Sequence, residues 1–314
     1  MNTDQATSAI AEPVTDDDLA LLEAALLESR LVVKSNPNHE PAGSPEGGQF
    51  THGDGGTGSV FSSALSKGSS AWRREAQKSY DTNTQFRAAA DAITYFTQGE
   101  YNNIRAISQH AVTGEWDARY KDGTVPSWLD RPMSGNPLAS YKSYFKGQDM
   151  ENGSNVTWGE GARAINDAIR TADPLPVPIY RGVSDFGHPN GREMIAGLKA
   201  LKPGDPFDVL GASSFTTSEE LAYKFSLNMA SGQHGGLQHG GHPAVIEVQP
   251  GARGLSVQAL SPYRQAEVIS SGHFEVVSVT ETPKEVYVPN GGYSMTRNEL
   301  RVVVKQVGVW SNKS

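Results

Sequence analysis

The sequence of 314 residues contains no cysteine. That absence excludes disulfides, thiolate catalysis and Cys-ligated zinc or iron–sulfur sites, and it leaves the redox compartment open. Long apolar runs are missing too: no stretch of about 18 apolar residues occurs, so no membrane-crossing helix and no membrane partner are expected. Residues 1–15 have neither a basic n-region nor an apolar h-region, so no secretory signal is expected. A surplus of positive charge is lacking as well. Of 35 acidic and 27 basic residues, ten acids fall in residues 1–60 against only Arg30 and Lys34, so the remainder is balanced. Such a part has no overall field to gather nucleic acid. What the chain does have is 33 glycines and 18 prolines with 37% hydrophobic residues, the composition of a soluble, turn-rich protein. Its length allows one large or two modest domains.

Residues 15–34 read as an acidic helix. Thr15 and Asp18 give a capping-box-like start, and Leu19, Leu22, Leu26 and Val33 an apolar stripe. It either docks another protein or packs on its own domain. Residues 35–70 are rich in Gly, Ser, Pro, Asn and His and have few core-forming residues, so a flexible linker is expected. The folded region is expected from about Ala71. Helices are predicted over 85–98, 100–112 and 159–171, with a polar, aromatic-studded insertion over 113–157. Strands follow over 177–182, 213–217, 244–249, 268–269, 274–281 and 300–308, with helices over 192–201 and, after an N-cap at Ser218, 219–225. Helices first and strands second argue for an α+β fold.

Three short patterns occur in order in the strand-rich half: Ile179-Tyr180-Arg181-Gly182, then Ser214-Phe215-Thr216-Thr217-Ser218, then Leu260-Ser261-Pro262-Tyr263-Arg264-Gln265-Ala266-Glu267-Val268-Ile269, followed by Gly272-His273-Phe274-Glu275-Val276. Each alone has an ordinary reading: a surface arginine, a helix cap, a solvated edge-strand glutamate. In order, they resemble the Arg–Ser–Glu class of mono-ADP-ribosyltransferases, the C3-, iota- and VIP2-like exoenzymes and their phage-encoded relatives. The resemblance extends from about Gln85 onward. Tyr95 and Tyr101-Asn102-Asn103-Ile104-Arg105 are similar to that family's Tyr…Tyr-x-x-Ile-Asn-x-x-Leu-Arg region.

The resemblance implies a helical first half packed on a two-sheet mixed β core, with residues 71–314 as the catalytic domain. It implies NAD⁺ as substrate, no metal, and transfer of one ADP-ribose to a host protein, or RNA, with release of nicotinamide. Catalytic roles fall to Glu267, Gln265, Thr216 and Arg181. Contacts to NAD⁺ fall to Arg181, Gly182, Thr216, Thr217, Ser218, Phe225 and Glu267.

The chemistry agrees with those types. Cleaving the nicotinamide–ribose bond builds oxocarbenium-like positive charge, which a fixed carboxylate such as Glu267 stabilises. A pyrophosphate suits the permanently charged fork of Arg181. The hydroxyl of Thr216 or Ser218 is expected to orient the glutamate. Two departures stand out. The family's Ser-Thr-Ser reads Thr216-Thr217-Ser218, and its Glu-x-Glu reads Gln265-Ala266-Glu267. A neutral amide at Gln265 cannot attract a guanidinium, so an acceptor other than arginine is expected. Residues 226–243 carry His234, His239 and His242, but without a carboxylate pair or regular spacing they read as a flexible loop over NAD⁺ and not as a metal site.

The segment Pro41-Ala42-Gly43-Ser44-Pro45-Glu46-Gly47-Gly48-Gln49-Phe50 resembles an element of bacteriophage head and head-associated proteins. That implies phage head partners through residues 1–60 and a location in the virion, the host bacterial cytoplasm, or both. The alternatives are a virion structural protein with a degenerate transferase fold, and an NAD⁺ glycohydrolase.

Overall fold

The computed structural model describes residues 57–313 apart from 66, 68, 117–127, 134–142, 149–152, 185–188, 228–241, 262–264 and 289–292. The expected helix over 15–34, the 41–50 element, and most of the 113–157 insertion and 226–243 loop lie outside the described residues.

The helical layer comprises α1 (Thr57–Ser62), a 3₁₀ turn (Ser63–Leu65), α2 (Ser69–Thr82), α3 (Thr84–Tyr95), a π turn (Phe96–Glu100), α4 (Tyr101–Thr113) and α5 (Trp158–Thr171). Local chemistry sets their ends. The Asn83 side chain accepts from the Phe86 N–H to start α3. Thr157 and Glu160 form a reciprocal capping box at α5, and Gly114 closes α4 in the left-handed conformation.

Residues 57–65 are helical and packed, although they fall within the linker expected over 35–70 and ahead of the start expected near Ala71; residues 35–56 lie outside the described residues. Phe61 is fully buried, with ring centroids 4.8 Å from Phe86 and 6.0 Å from Trp72. Gly58 crosses α5 so closely that a Cβ there would sit 1.9 Å from the Ala168 carbonyl oxygen. The small residues that gave this segment a linker-like composition are what permit the close crossing.

The strands are β1 (Ile179–Ser184), β2 (Pro206–Thr216), β3 (Pro243–Val248), β4 (Leu255–Ser256), β5 (Glu267–Val288) and β6 (Tyr293–Gly308), with α6 (Pro189–Ala200) and α7 (Glu219–Ser226) between. The fold is thus mixed α and β, helices first. The sheet runs β2-β1-β3-β6-β5-β4, parallel only at β3–β6. Because β2 also pairs with β5, the strands β1, β3, β6, β5 and β2 form a ring, closed by the single pair Tyr180↔Thr216. The two sheets expected are therefore one hydrogen-bonded sheet. The reason is β5, which runs 22 residues where two short strands were expected. It pairs with β2 over Glu267 to Glu275 and with β6 from His273 on.

Three apolar clusters result, the smallest being Ala222 and Tyr223 of α7 and Leu227 just after it, packed on Val245. One joins the helical layer to the sheet through Phe61, Trp72, Phe86, Ile104, Ile165, Leu255 and Ile269. Another fills the ring with Ile179, Phe207, Phe215, Ile246, Val268, Phe274 and Val302, covered by Ile195 and Leu198 of α6. After β6 the chain returns to the helices. Trp310 Nε1 donates to the Val209 carbonyl at 2.9 Å, and the Lys313 N–H donates to the Ala111 carbonyl at 2.7 Å.

Asp91 on α3 is 5% exposed and accepts from Tyr80 Oη at 2.8 Å, Gln148 Nε2 at 3.0 Å and Ser154 Oγ at 2.6 Å. Asp91→Ala leaves three donors facing a void and is expected to cost about 2–3 kcal/mol. A loss of less than about 0.5 kcal/mol in urea unfolding would show that water or other groups replace the carboxylate.

Candidate active site

Three chain segments meet around Ser214. β2 and β5 run antiparallel with Thr216 opposite Glu267 and Ser214 opposite Ile269, so Ser214 and Thr216 share the pleat face that carries the glutamate. Ser214 Oγ donates to Glu267 Oε1 at 2.8 Å, while the Ser214 carbonyl accepts from Arg181 Nη1 at 3.0 Å. One residue thus ties the β1 arginine to the β5 glutamate. Arg181 also lies 6.0 Å from the Phe215 ring centroid, a cation–π contact.

The hydroxyls on Glu267 are those of Ser214 and Ser261, which corrects the expected role of Thr216 or Ser218. Thr216 Oγ1 donates to the Gln265 carbonyl at 2.7 Å and accepts from the Ser218 N–H at 3.1 Å. Ser218 is the α7 N-cap, its Oγ accepting from the Leu221 N–H at 3.2 Å. The Thr217 N–H donates to the Ala266 carbonyl at 3.1 Å. The Thr-Thr-Ser turn therefore holds the backbone just before Glu267 and not the carboxylate itself.

Glu267 is 8% exposed. Burial pushes its carboxyl above the ordinary value, while hydrogen bonds from Ser214 and Ser261 pull the other way. Sequence reasoning misses both Ser214 and Ser261 as contacts. Alternation predicts only that one face of β2 carries hydroxyls, and not which of them reaches a diagonal neighbour. Arg181 is lowered to about 9 by burial and by the Arg105 guanidinium on α4, and stays cationic at neutral pH. A guanidinium that feels the field of a second one, and that shares Ser214 with a buried carboxylate, makes a locus for a dinucleotide's anionic phosphates.

Ala266, between Gln265 and Glu267, has φ +47°, the only left-handed residue other than glycine among the described residues. Such backbone costs about 1–2 kcal/mol for a residue with a Cβ. Strain of this kind clusters at functional sites. Ala266→Gly is expected to stabilise the fold by about 0.5–1 kcal/mol, the relief exceeding glycine's entropy in the unfolded chain. Urea unfolding checks it, and a destabilised variant would mean the turn carries no strain.

The remaining expected residues divide by role. Gly182 is where α7 presses on β1: a Cβ would lie 1.8 Å from the Ala222 carbonyl oxygen and 2.7 Å from the Ser226 nitrogen. Phe225 on α7 is 38% exposed and presents its ring to solvent. Gln265 is part-exposed beside Glu267. His234 and His239 lie outside the described residues. No group of three or more His, Asp or Glu suited to a metal occurs among the described residues. No described helix is long and apolar enough to cross a membrane.

No protein-family model and no curated protein matches the chain. Solved structures similar to it include the Vis toxin, an ADP-ribosyltransferase from Vibrio splendidus, at 15% identity and TM-score 0.39, covering 78% of this chain and 84% of that one. An ADP-ribosyltransferase toxin from Paenibacillus larvae is 14% identical at TM-score 0.37, covering 74% and 94%. An ADP-ribosyltransferase from Clostridium botulinum is 12% identical at TM-score 0.37, covering 76% and 94%.

Proposed function

We propose that the protein is an NAD⁺-dependent mono-ADP-ribosyltransferase acting at Glu267. The observation that carries this is the juncture at Ser214, where a buried carboxylate and a cationic guanidinium from separate strands are held on one residue. Arg181 and Arg105 take the pyrophosphate. Glu267 faces the ribose and stabilises positive charge at C1′ as the bond to nicotinamide breaks. Nicotinamide leaves with the bonding electron pair, and an acceptor nucleophile forms the new bond to C1′ and loses its proton. Thr216, Thr217 and Ser218 fix the Gln265–Glu267 turn, and Phe225 offers an apolar face to the nicotinamide.

The acceptor belongs to a host macromolecule, most simply a protein, and is not arginine. A neutral Gln265 beside Glu267 supplies no charge to draw in a guanidinium. The Arg–Ser–Glu pattern assigns the chain to the exoenzyme class, and the 41–50 element points to a phage source, with residues 1–60 as a tether to head proteins. An intracellular bacterial target follows from that source.

The test is incubation with adenylate-labelled NAD⁺ and a bacterial lysate. Label on protein with nicotinamide release is the expected result. Release with free ADP-ribose alone would make the protein a glycohydrolase, and no release at all would leave a binding or structural protein.

A further inference from the structure

On the face of the sheet away from the ring interior, one arginine holds three carboxylates. Arg301 on β6 donates through Nη1 to Glu247 Oε2 at 3.0 Å, through Nη2 to Glu299 Oε1 at 2.9 Å, and through Nη2 to Glu219. Lys284 Nζ donates to the other oxygen of Glu299 at 3.0 Å, and the Glu299 side chain is only 3% exposed. Glu219 is the first residue of α7, directly after the Ser218 cap. From there the connections run straight to the site. The Ser218 N–H donates to Thr216 Oγ1, Thr216 Oγ1 donates to the Gln265 carbonyl, and the Thr217 N–H donates to the Ala266 carbonyl. Tyr180, next to Arg181, stands in the field of Glu247, Glu219 and Arg301 and pairs with Thr216.

We infer that Arg301 is a positioning residue for the proposed reaction, clamping the first turn of α7 through Glu219 so that the Thr-Thr-Ser turn holds Gln265 to Glu267 in register. An isolated surface ion pair would be too weak for this. Here the guanidinium is fixed at both ends, by Glu299 and Glu247 on the sheet and by Glu219 on the helix, so its plane is set before α7 docks. Ring closure at this point is one residue pair, Tyr180↔Thr216, and the Glu219 link adds a tie between the sheet and the start of α7 beside the packing of Ala222, Tyr223 and Leu227 on Val245.

The inference rests on the proposed transferase reading, and the experiment separates the two. Purified full chain is compared with Glu219→Gln, Arg301→Gln, Glu220→Gln and Glu267→Gln, measuring steady-state NAD⁺ cleavage, NAD⁺ binding by calorimetry, and thermal unfolding. Glu219→Gln removes only the helix link and is expected to raise the KM and Kd for NAD⁺ about tenfold with little change in melting temperature. Arg301→Gln is expected to show the same kinetic change with a lower melting temperature, since it also breaks the ion pair to Glu247 and leaves the buried Glu299 with Lys284 alone. Glu220→Gln makes the same charge change one residue along, where the partner is Lys224, and is expected to leave both constants unchanged.

Charge alone works the other way: removing a carboxylate from the protein favours binding of an anionic dinucleotide. A lower or unchanged KM in Glu219→Gln therefore overturns the inference. So does a KM in Arg301→Gln that stays at the wild-type value while activity falls only with the folded fraction. If Glu267→Gln is inactive while Glu219→Gln behaves as wild type, the clamp fails and the transferase reading stands. If Glu267→Gln stays active, the site reading fails whatever the clamp does.

Discussion

Glu267→Gln is expected to slow NAD⁺ cleavage by about a thousandfold or more while the protein stays folded. An amide keeps the size and the hydrogen bond of the side chain but offers no negative charge to a developing oxocarbenium ion, the interaction assigned most of the barrier lowering. The same change is expected to raise stability at neutral pH. Burial holds the folded carboxyl above its ordinary value of 4.5, so the fold favours the protonated form. The group's stabilising contribution is complete below that ordinary value and is lost as pH rises through the elevated folded value. Wild type then keeps a buried charge that glutamine lacks. The stability gap between variant and wild type should be close to zero in acid and open with rising pH. Wild-type activity should fall on acidification at a pH above the usual glutamate range. Cleavage within about tenfold of wild type in the glutamine variant would remove Glu267 from the chemistry.

Gly182→Ala is expected to destabilise on the order of 4 kcal/mol. The added methyl would lie 1.8 Å from the Ala222 carbonyl oxygen, a backbone atom of α7 that no rotamer change can move aside. The helix must lift from β1, and with it Ala222, Tyr223 and Leu227 leave their packing on Val245. For a chain of this size the melting temperature should drop by about 8–16 °C. NAD⁺ binding should weaken further than the folded fraction explains, because α7 begins at the Thr-Thr-Ser turn. A melting temperature within about 2 °C of wild type would mean that the helix slides without loss and that the close approach is incidental.

Much of this is legible in the sequence wherever a local rule and the tertiary fold agree. Ser218 caps α7 as its type and place indicate, and the apolar spacing of Ala162, Ile165, Ala168 and Ile169 gives the buried face of α5. Arg181 stands midway along β1 and Glu267 at the start of β5, and the ordered motifs bring both into view. The failures have physical causes. Residues 57–65 look like linker because small residues serve flexible chain and tight helix crossings alike, and only the partner helix decides between them. Gly272 reads as a break between two strands. In the structure it has φ +147°, and β5 passes through it unbroken. The hydroxyl that meets Glu267 depends on strand twist and register, set by contacts some fifty residues apart, and no local pattern could separate Ser214 from Thr216. Arg105 is visible as part of a family-like segment. Its electrostatic effect on Arg181 needs α4 laid against β2.

The parallel pairing of β3 with β6 has a consequence for how the protein comes into being. Residues 244–248 find their second partner only in residues 300–304, so while a ribosome is still making β5 the ring is open and β3 is paired along one edge alone. Arg181, Ser214 and Glu267 are then all translated, but the ring that packs their strands is still open. Such late, long-range closure folds slowly. It also means that the strands carrying the proposed site gain their closed support only once β6 is in place.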